Sequence, residues 1–365
     1  MSQVMPIDLP LFSFISRNSY LLSTILSFGL VMALTPFTRK LSLKYNQVDL
    51  PAYRKVHQQP VARTGGVAIC IATIFVLYLV LLASSFLDLS ISTEANFSIL
   101  LVGSLCFFSI GLADDFLDLP ASLRLVAQCA VGSMVWAEGL RIESLALPFF
   151  DPIQLGWLSL PITVIWLAGV VNAINWIDGL DGVAAGIGSI AAMSSFVICL
   201  QTGQLAIAPV CAALLGSLLG FLFFNFNPAQ IFMGDGGSHF VGFLLAAVCV
   251  SGLDSQTTSM TVLLPLSILS VPLLDMIAVI VARLWQGDSP FVADNKHLHH
   301  RLLQLGLSHR FAVMVIYALS LWTATLALLS VGVPGSFFVV SFSTILLALA
   351  GQRILSFKRQ EAFFS

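Results

Sequence analysis

Charge is what this sequence has least of. Only 9% of its 365 residues are Asp, Glu, Lys or Arg, against roughly 25% in a soluble domain. Too little polar surface remains to cover a water-soluble globule, which excludes that class. The formal net charge of −2 leaves no basic footprint for a nucleic-acid partner. CxxC and Cys/His zinc spacings are missing, and all six cysteines sit in apolar runs. They read as buried thiols rather than disulfides or zinc ligands. Internal repeats and low-complexity tracts are also lacking. The N-terminal MSQVMPIDLP has no basic n-region, and no small-residue cleavage site follows the first apolar run. That first segment is therefore expected to be retained.

What is present is hydrophobic residues, 58% of the chain. A membrane-spanning helix needs about 20 consecutive apolar residues. Eleven runs qualify, near 19–38, 65–87, 97–113, 122–139, 158–177, 182–200, 205–224, 237–253, 259–283, 311–332 and 334–356. Continuous runs of this length predict helices, since barrel strands give shorter alternating segments. The expected fold is all-α: a polytopic integral membrane protein of about 11 transmembrane helices, one membrane-embedded domain over 1–365. With the N-terminus outside, fourteen Lys and Arg fall on one set of loops and tails; only Arg17 and Arg141 fall on the other. The positive-inside rule then predicts a cytoplasmic C-terminus. It also puts every polar constellation on the cytoplasmic side.

The scarce polar residues are crowded into a few places. GLADDFLD (111–118) places Asp114, Asp115 and Asp118 in five residues at the end of an apolar run. On one helix face they would repel, so a cation or a protonated member should compensate; a solvated helix end is the plainer alternative. NAINWIDGLDG (172–182) repeats Asn172, Asn175, Asp178 and Asp181 every three residues. This draws a polar stripe along an apolar helix, suited to a ligand or to an interhelical hydrogen-bonded seam. FNFNPAQIFMGDGGSHF (224–240) sets Asp235 in a Gly-rich turn opening the next helix, where turn amides make an anion-binding concavity. Asp235 there suits a metal ligand. Asn225 lies at the preceding helix end, and Phe232 is either a stacking face or an interfacial anchor.

ADNKHLHHRLLQLGLSHR (293–310) gathers His297, His299 and His300 with Lys296, Arg301 and Arg310. No cysteine is near and the carboxylates are not at zincin spacing, so diphosphate or sugar binding is preferred to zinc. A solvated loop is the alternative. YRKVHQQPVARTGG (53–66) is basic, either for phosphate or for membrane orientation. Together, acids, amides, Gly-rich turns and a His/Arg/Lys segment on one face suit Mg²⁺-assisted phosphoryl chemistry between a soluble and a lipid substrate.

The ordered set DDFLD, NAINWIDGLDG, FNFNPAQIFMGDGGS and HLHHRL resembles the polyprenyl-phosphate N-acetylhexosamine-1-phosphate transferase family of bacterial membranes, over roughly residues 20–330. The resemblance implies a helical membrane fold in the bacterial cytoplasmic membrane, Mg²⁺ with Mn²⁺ as a substitute, a UDP-N-acetylhexosamine donor, and undecaprenyl phosphate as acceptor. It implies that Asp235 ligates the metal, helped by Asp178, and that Asp114 and Asp115 are catalytic at the lipid phosphate. Asn175, Asp178 and Asp181 would border metal and nucleotide, with Asn172 on the same stripe. Asn225 precedes the Pro-Ala pair, Phe232 would sit beside the uracil, and His297, His299, His300 and Arg301 match the donor-recognition segment. HLHHRL and VARTGG replace the three consecutive histidines and TPTMGG of the phospho-N-acetylmuramoyl-pentapeptide branch. The chain is more similar to the UDP-N-acetylglucosamine branch that starts surface polysaccharides or teichoic acids. The pentapeptide branch and other UDP-hexosamines stay open as alternatives, as does oligomeric state, a homodimer included. From a different class, an ion-coupled transporter would place acids near the bilayer midplane and on both sides of it.

Overall fold

The computed structural model describes residues 10–49, 60–86, 97–146, 150–253, 263–289 and 296–364. The architecture is helical throughout. In chain order the helices are α1 (Pro10–Lys44), α2 (Gly65–Phe86), α3 (Phe97–Leu117), α4 (Ala121–Ala137), α5 (Ser159–Ile177), α6 (Val183–Gln201) and α7 (Ala208–Asn225). There follow α8 (Gly234–Leu253), α9 (Leu263–Ile268), α10 (Ser270–Trp285), α11 (Leu298–Gln304), α12 (His309–Ser330) and α13 (Ser336–Phe364). Two small antiparallel hairpins accompany them, β1 (Val48–Asp49) with β2 (Val61–Ala62) and β3 (Ser144–Leu145) with β4 (Ile153–Gln154).

Among the described residues nine helices are long and apolar enough to cross a membrane. Helices suit this because every backbone hydrogen bond closes within the segment, which hydrocarbon demands. Two of the eleven expected spans differ. The run near 122–139 becomes α4, only 17 residues long. The run near 259–283 is not one helix: α9 and α10 are separated at Leu269 (φ −101°, ψ 13°). Pro272 has no N–H to give the carbonyl four residues back, so the helix breaks there. Residues 259–262 of that run lie outside the described residues.

The core centres on α7 and α8, the most enclosed of the long helices. Helix α8 packs against α3 and α5, and α7 against α1 and α6. Phe107 of α3 stacks on Phe243 of α8 at 4.9 Å between ring centroids. The arrangement matters for function because the C-terminal ends of α3, α5 and α7 meet the N-terminal ends of α2, α8 and α12 at one end of the bundle. Bonds such as Gly182 to Asn225 (3.1 Å) and Asn175 to Asp235 (2.7 Å) tie these ends together. The six cysteines are all free thiols; four are buried, and Cys106 and Cys129 are partly buried.

Candidate active site

The acids of GLADDFLD do not share a face. Helix α3 ends at Leu117, and Asp118 turns away into the left-handed region (φ 46°), exposed. Asp114 points inward and is paired with the Arg124 guanidinium of α4, with Leu119 N–H donating to it at 2.8 Å. Asp115 points toward α8. Its two carboxylate oxygens accept from the N–H groups of Asp235 and Gly236, both at 2.9 Å, and Arg63 Nε lies 3.2 Å away. The compensation for crowded acids is therefore two arginines and the first amides of a helix. The amides that the Gly-rich turn offered to a phosphate are taken by Asp115.

Asp235 becomes the hub of the site. Its Oδ1 accepts from Asn175 Nδ2 at 2.7 Å, while Oδ2 lies 3.3 Å from Arg63 Nη2 and 4.0 Å from Arg124 Nη1. Asn175 also donates to Ser238 Oγ at 2.9 Å, which fixes the end of α5 against the start of α8.

A cavity of roughly 440 Å³ opens here. Its wall brings together Arg63, Asn175, Asp178, Asp235, Phe232 and His300, with Asp49, Asp181, Asn225 and His309 also facing it. Phe232 is held in the wall by its own backbone: its N–H donates to Ala62 O at 2.7 Å, and its carbonyl accepts from Gly65 N–H at 2.9 Å. Among the described residues the Asp178 carboxylate accepts no hydrogen bond. Burial, then the charges of Asp235, Asp115 and Asp181, hold this carboxyl well above the usual carboxylate range, with Arg63 pulling the other way.

The chain matches the model of the glycosyl transferase family 4 over residues 97–253. It is 37% identical over 294 residues to a Bacillus subtilis (strain 168) protein named "Probable undecaprenyl-phosphate N-acetylglucosaminyl 1-phosphate transferase", spanning 80% of each chain. The chain belongs to glycosyl transferase family 4. It is 35% identical over 322 residues to the decaprenyl-phosphate N-acetylglucosaminephosphotransferase of Mycolicibacterium smegmatis, spanning 80% of this chain and 77% of the relative. To the undecaprenyl-phosphate alpha-N-acetylglucosaminyl 1-phosphate transferase of Escherichia coli (strain K12) it is 30% identical over 319 residues, spanning 86% and 83%. As a glycosyl transferase family 4 member it is a multi-pass membrane enzyme.

Not every residue expected at the site of this family 4 enzyme reaches the cavity wall. Asn172 stands apart: its Nδ2 donates to Gln128 Oε1 at 2.6 Å and to Ala168 O at 2.7 Å. It serves the seam between α4 and α5. Asn225 faces the cavity, yet its amide is used internally, accepting from Gly182 N–H at 3.1 Å and donating to Ile231 O at 3.0 Å. Asp181 likewise accepts from Asn227 Nδ2 and Ala229 N–H, at 2.8 and 3.0 Å. Asp114 and Asp115 lie behind the wall, committed to the partners given above.

The histidine segment is no solvated loop. His297 and His299 are buried, and of the three histidines only His300 lines the cavity. Burial, followed by His300 and His297 nearby, pushes the His299 pKa down to about 3, so this ring is neutral. Arg301 is exposed and outside the cavity wall. Sequence reasoning missed Arg124, His309 and Asp275, and left Arg63 ambiguous. Asp275 had a signal: it is an acid inside an apolar helix, where ionisable groups are rare. Residues 53–59 of the basic stretch and Asp294 lie outside the described residues.

Proposed function

We propose that this enzyme transfers N-acetylglucosamine 1-phosphate from UDP-N-acetylglucosamine to undecaprenyl phosphate, releasing UMP. The product, undecaprenyl-diphospho-N-acetylglucosamine, starts a surface polysaccharide or teichoic acid. The relatives' names support the substrates. The Lys/Arg bias supports a cavity facing the cytoplasm of a bacterial inner membrane. The observation that carries the reading is the meeting of Asp178, Asp235, Arg63 and His300, from four separate stretches of chain, around one cavity.

The cavity's donor set fits Mg²⁺. Asp49, Asp178, Asp181 and Asp235 bring carboxylate oxygens to the cavity wall beside the imidazoles of His300 and His309, and among the described residues the Asp178 carboxylate accepts no hydrogen bond. Among the described residues no three His, Cys, Asp or Glu form a closed metal cage; magnesium usually takes one or two carboxylates and completes its shell with waters and substrate phosphates. Asp178 and Asp235 would hold it. Bound there, it would neutralise the donor diphosphate and polarise the phosphorus that bears the sugar.

The chain's own groups then have separable tasks. Arg63 reaches the donor diphosphate from the cavity wall. Phe232 gives the uracil a flat apolar face, and His300 reaches toward the sugar end. On the other side of Asp235, Arg124 is a quarter exposed and offers its guanidinium to the acceptor phosphate. An acceptor oxygen attacks the β-phosphorus as the bond to the α-phosphate side breaks and UMP leaves. The acceptor phosphate is largely dianionic at pH 7, by analogy with phosphoserine, so no strong base is required. Asp114 and Asp115 act by holding Arg124 and the start of α8 in place.

The test uses membranes carrying the protein, undecaprenyl phosphate and either UDP-[³H]GlcNAc or UDP-[³H]GalNAc. The expected result is a labelled lipid from the former, with UMP release that chelation abolishes and Mg²⁺ restores. Label from the galactosamine donor alone would change the sugar; no labelled lipid from either donor would defeat the reading.

A further inference from the structure

Asp275 is an acid buried in α10, 8% exposed, ten residues before the end of that helix at Trp285. At 1.5 Å per residue this puts it about 15 Å inside the helix end. An ionisable group at such depth needs partners, and both of its oxygens have one. Oδ2 meets His297 Nδ1 at 2.8 Å, and Oδ1 accepts from Leu298 N–H at 2.7 Å. The histidine segment is thus drawn down into the bundle.

From there a run of rings leads to the cavity. The His297 and His299 rings are parallel within 5°, centroids 5.6 Å apart, and His299 contacts His300 at 4.3 Å. Trp176 of α5 meets His297 in a T-shaped contact, ring centroids 5.8 Å apart, with Arg283 of α10 over the indole at 5.0 Å. Gly179, next to Asp178, lies against the His299 ring so closely that a Cβ would overlap it. His297 therefore cannot shift without disturbing His299, and His299 cannot shift without disturbing either the turn of Asp178 or His300.

The geometry points to Asp275 as a positioning residue for donor recognition: it clamps His297, and through the stacked rings it fixes His300 in the cavity wall. This rests on the reading that the cavity takes the UDP-sugar. It predicts an effect on one substrate only, because among the described residues the side chains of Arg124 and Asp114, on the acceptor side, pair with each other, Leu119 and Asp235 rather than with the clamp.

The test compares wild type with Asp275→Ala and Asp275→Asn. KM for each substrate, kcat, and the rise in detergent melting temperature given by UDP are measured. Asp275→Ala should raise the UDP-sugar KM about tenfold, the size of a lost hydrogen bond to a charged group. The UDP-induced melting shift should shrink with it, while the lipid KM stays within about twofold. Asp275→Asn keeps an acceptor for Leu298 and can donate to the other His297 tautomer; it should recover most of the donor affinity. A wild-type donor KM and UDP shift in Asp275→Ala, or an equal rise in both KM values, overturns the clamp. Wild type that makes no labelled lipid overturns the transferase reading instead, and the UDP shift still reports on the clamp.

Discussion

Asp115 of α3 caps the helix that carries Asp235, from 120 residues away in the chain. Its carboxylate takes the N–H groups of Asp235 and Gly236, two of the amides left unpaired at the start of any helix. One acid thereby orients the next, and Arg63 links both.

Asp115→Asn should therefore fail in two ways. The buried side chain, 3% exposed, loses the charge that faces Arg63 and the α8 amides, at a cost of about 2–3 kcal/mol. Detergent thermal unfolding should show the loss, and turnover should fall at least a hundredfold as Asp235 is misaligned. A variant with normal melting and normal turnover would remove Asp115 from this role.

Asn172 and Asn175 sit three residues apart on α5 and should behave differently. Asn172→Ala breaks the seam to Gln128 and should lower stability by about 1–2 kcal/mol with donor KM unchanged. Asn175→Ala frees Asp235 and Ser238 and should impair turnover far more than stability. Equal kinetic damage from both would contradict the placement of Asn172 outside the cavity.

Acid should loosen the histidine segment. The folded-state pKa of His299, about 3, lies below the ordinary histidine value of 6.5. Its neutral form is favoured on folding, so this contribution is complete above pH 6.5 and is lost as pH falls toward 3. At pH 5 the loss is on the order of 2 kcal/mol. His299→Gln, which does not titrate, should flatten the melting-temperature profile between pH 7 and 5; an unchanged slope would show that another group sets it.

Gly234→Ala tests the entry to α8. Gly234 has φ +74°, and a Cβ there would crowd the Arg63 carbonyl and the Asp115 carboxylate. Strain of about 1–3 kcal/mol is expected, with loss of turnover. Wild-type activity in this variant would mean that the turn can be rebuilt without moving Asp115.

Much of this was legible from residues alone. Long apolar runs specify helices in lipid because no other open structure satisfies the backbone there, and among the described residues nine of the runs became helices of spanning length. The ordered motifs marked the family and put Asn175, Asp178, Phe232, Asp235 and His300 on the short list of cavity residues. What tertiary structure decided was which polar groups are free and which are spent. Asp114, Asp115 and Asp178 look alike in the sequence, but the first two are bound to Arg124, Arg63 and α8 amides, while the Asp178 carboxylate accepts no hydrogen bond among the described residues. Asn172 and Asn175 belong to one periodic stripe, yet one faces Gln128 and the other Asp235. Periodicity fixes a residue's angle around its own helix. The partner it meets depends on neighbouring helices whose sequences lie tens to hundreds of residues away, and only their packing supplies that.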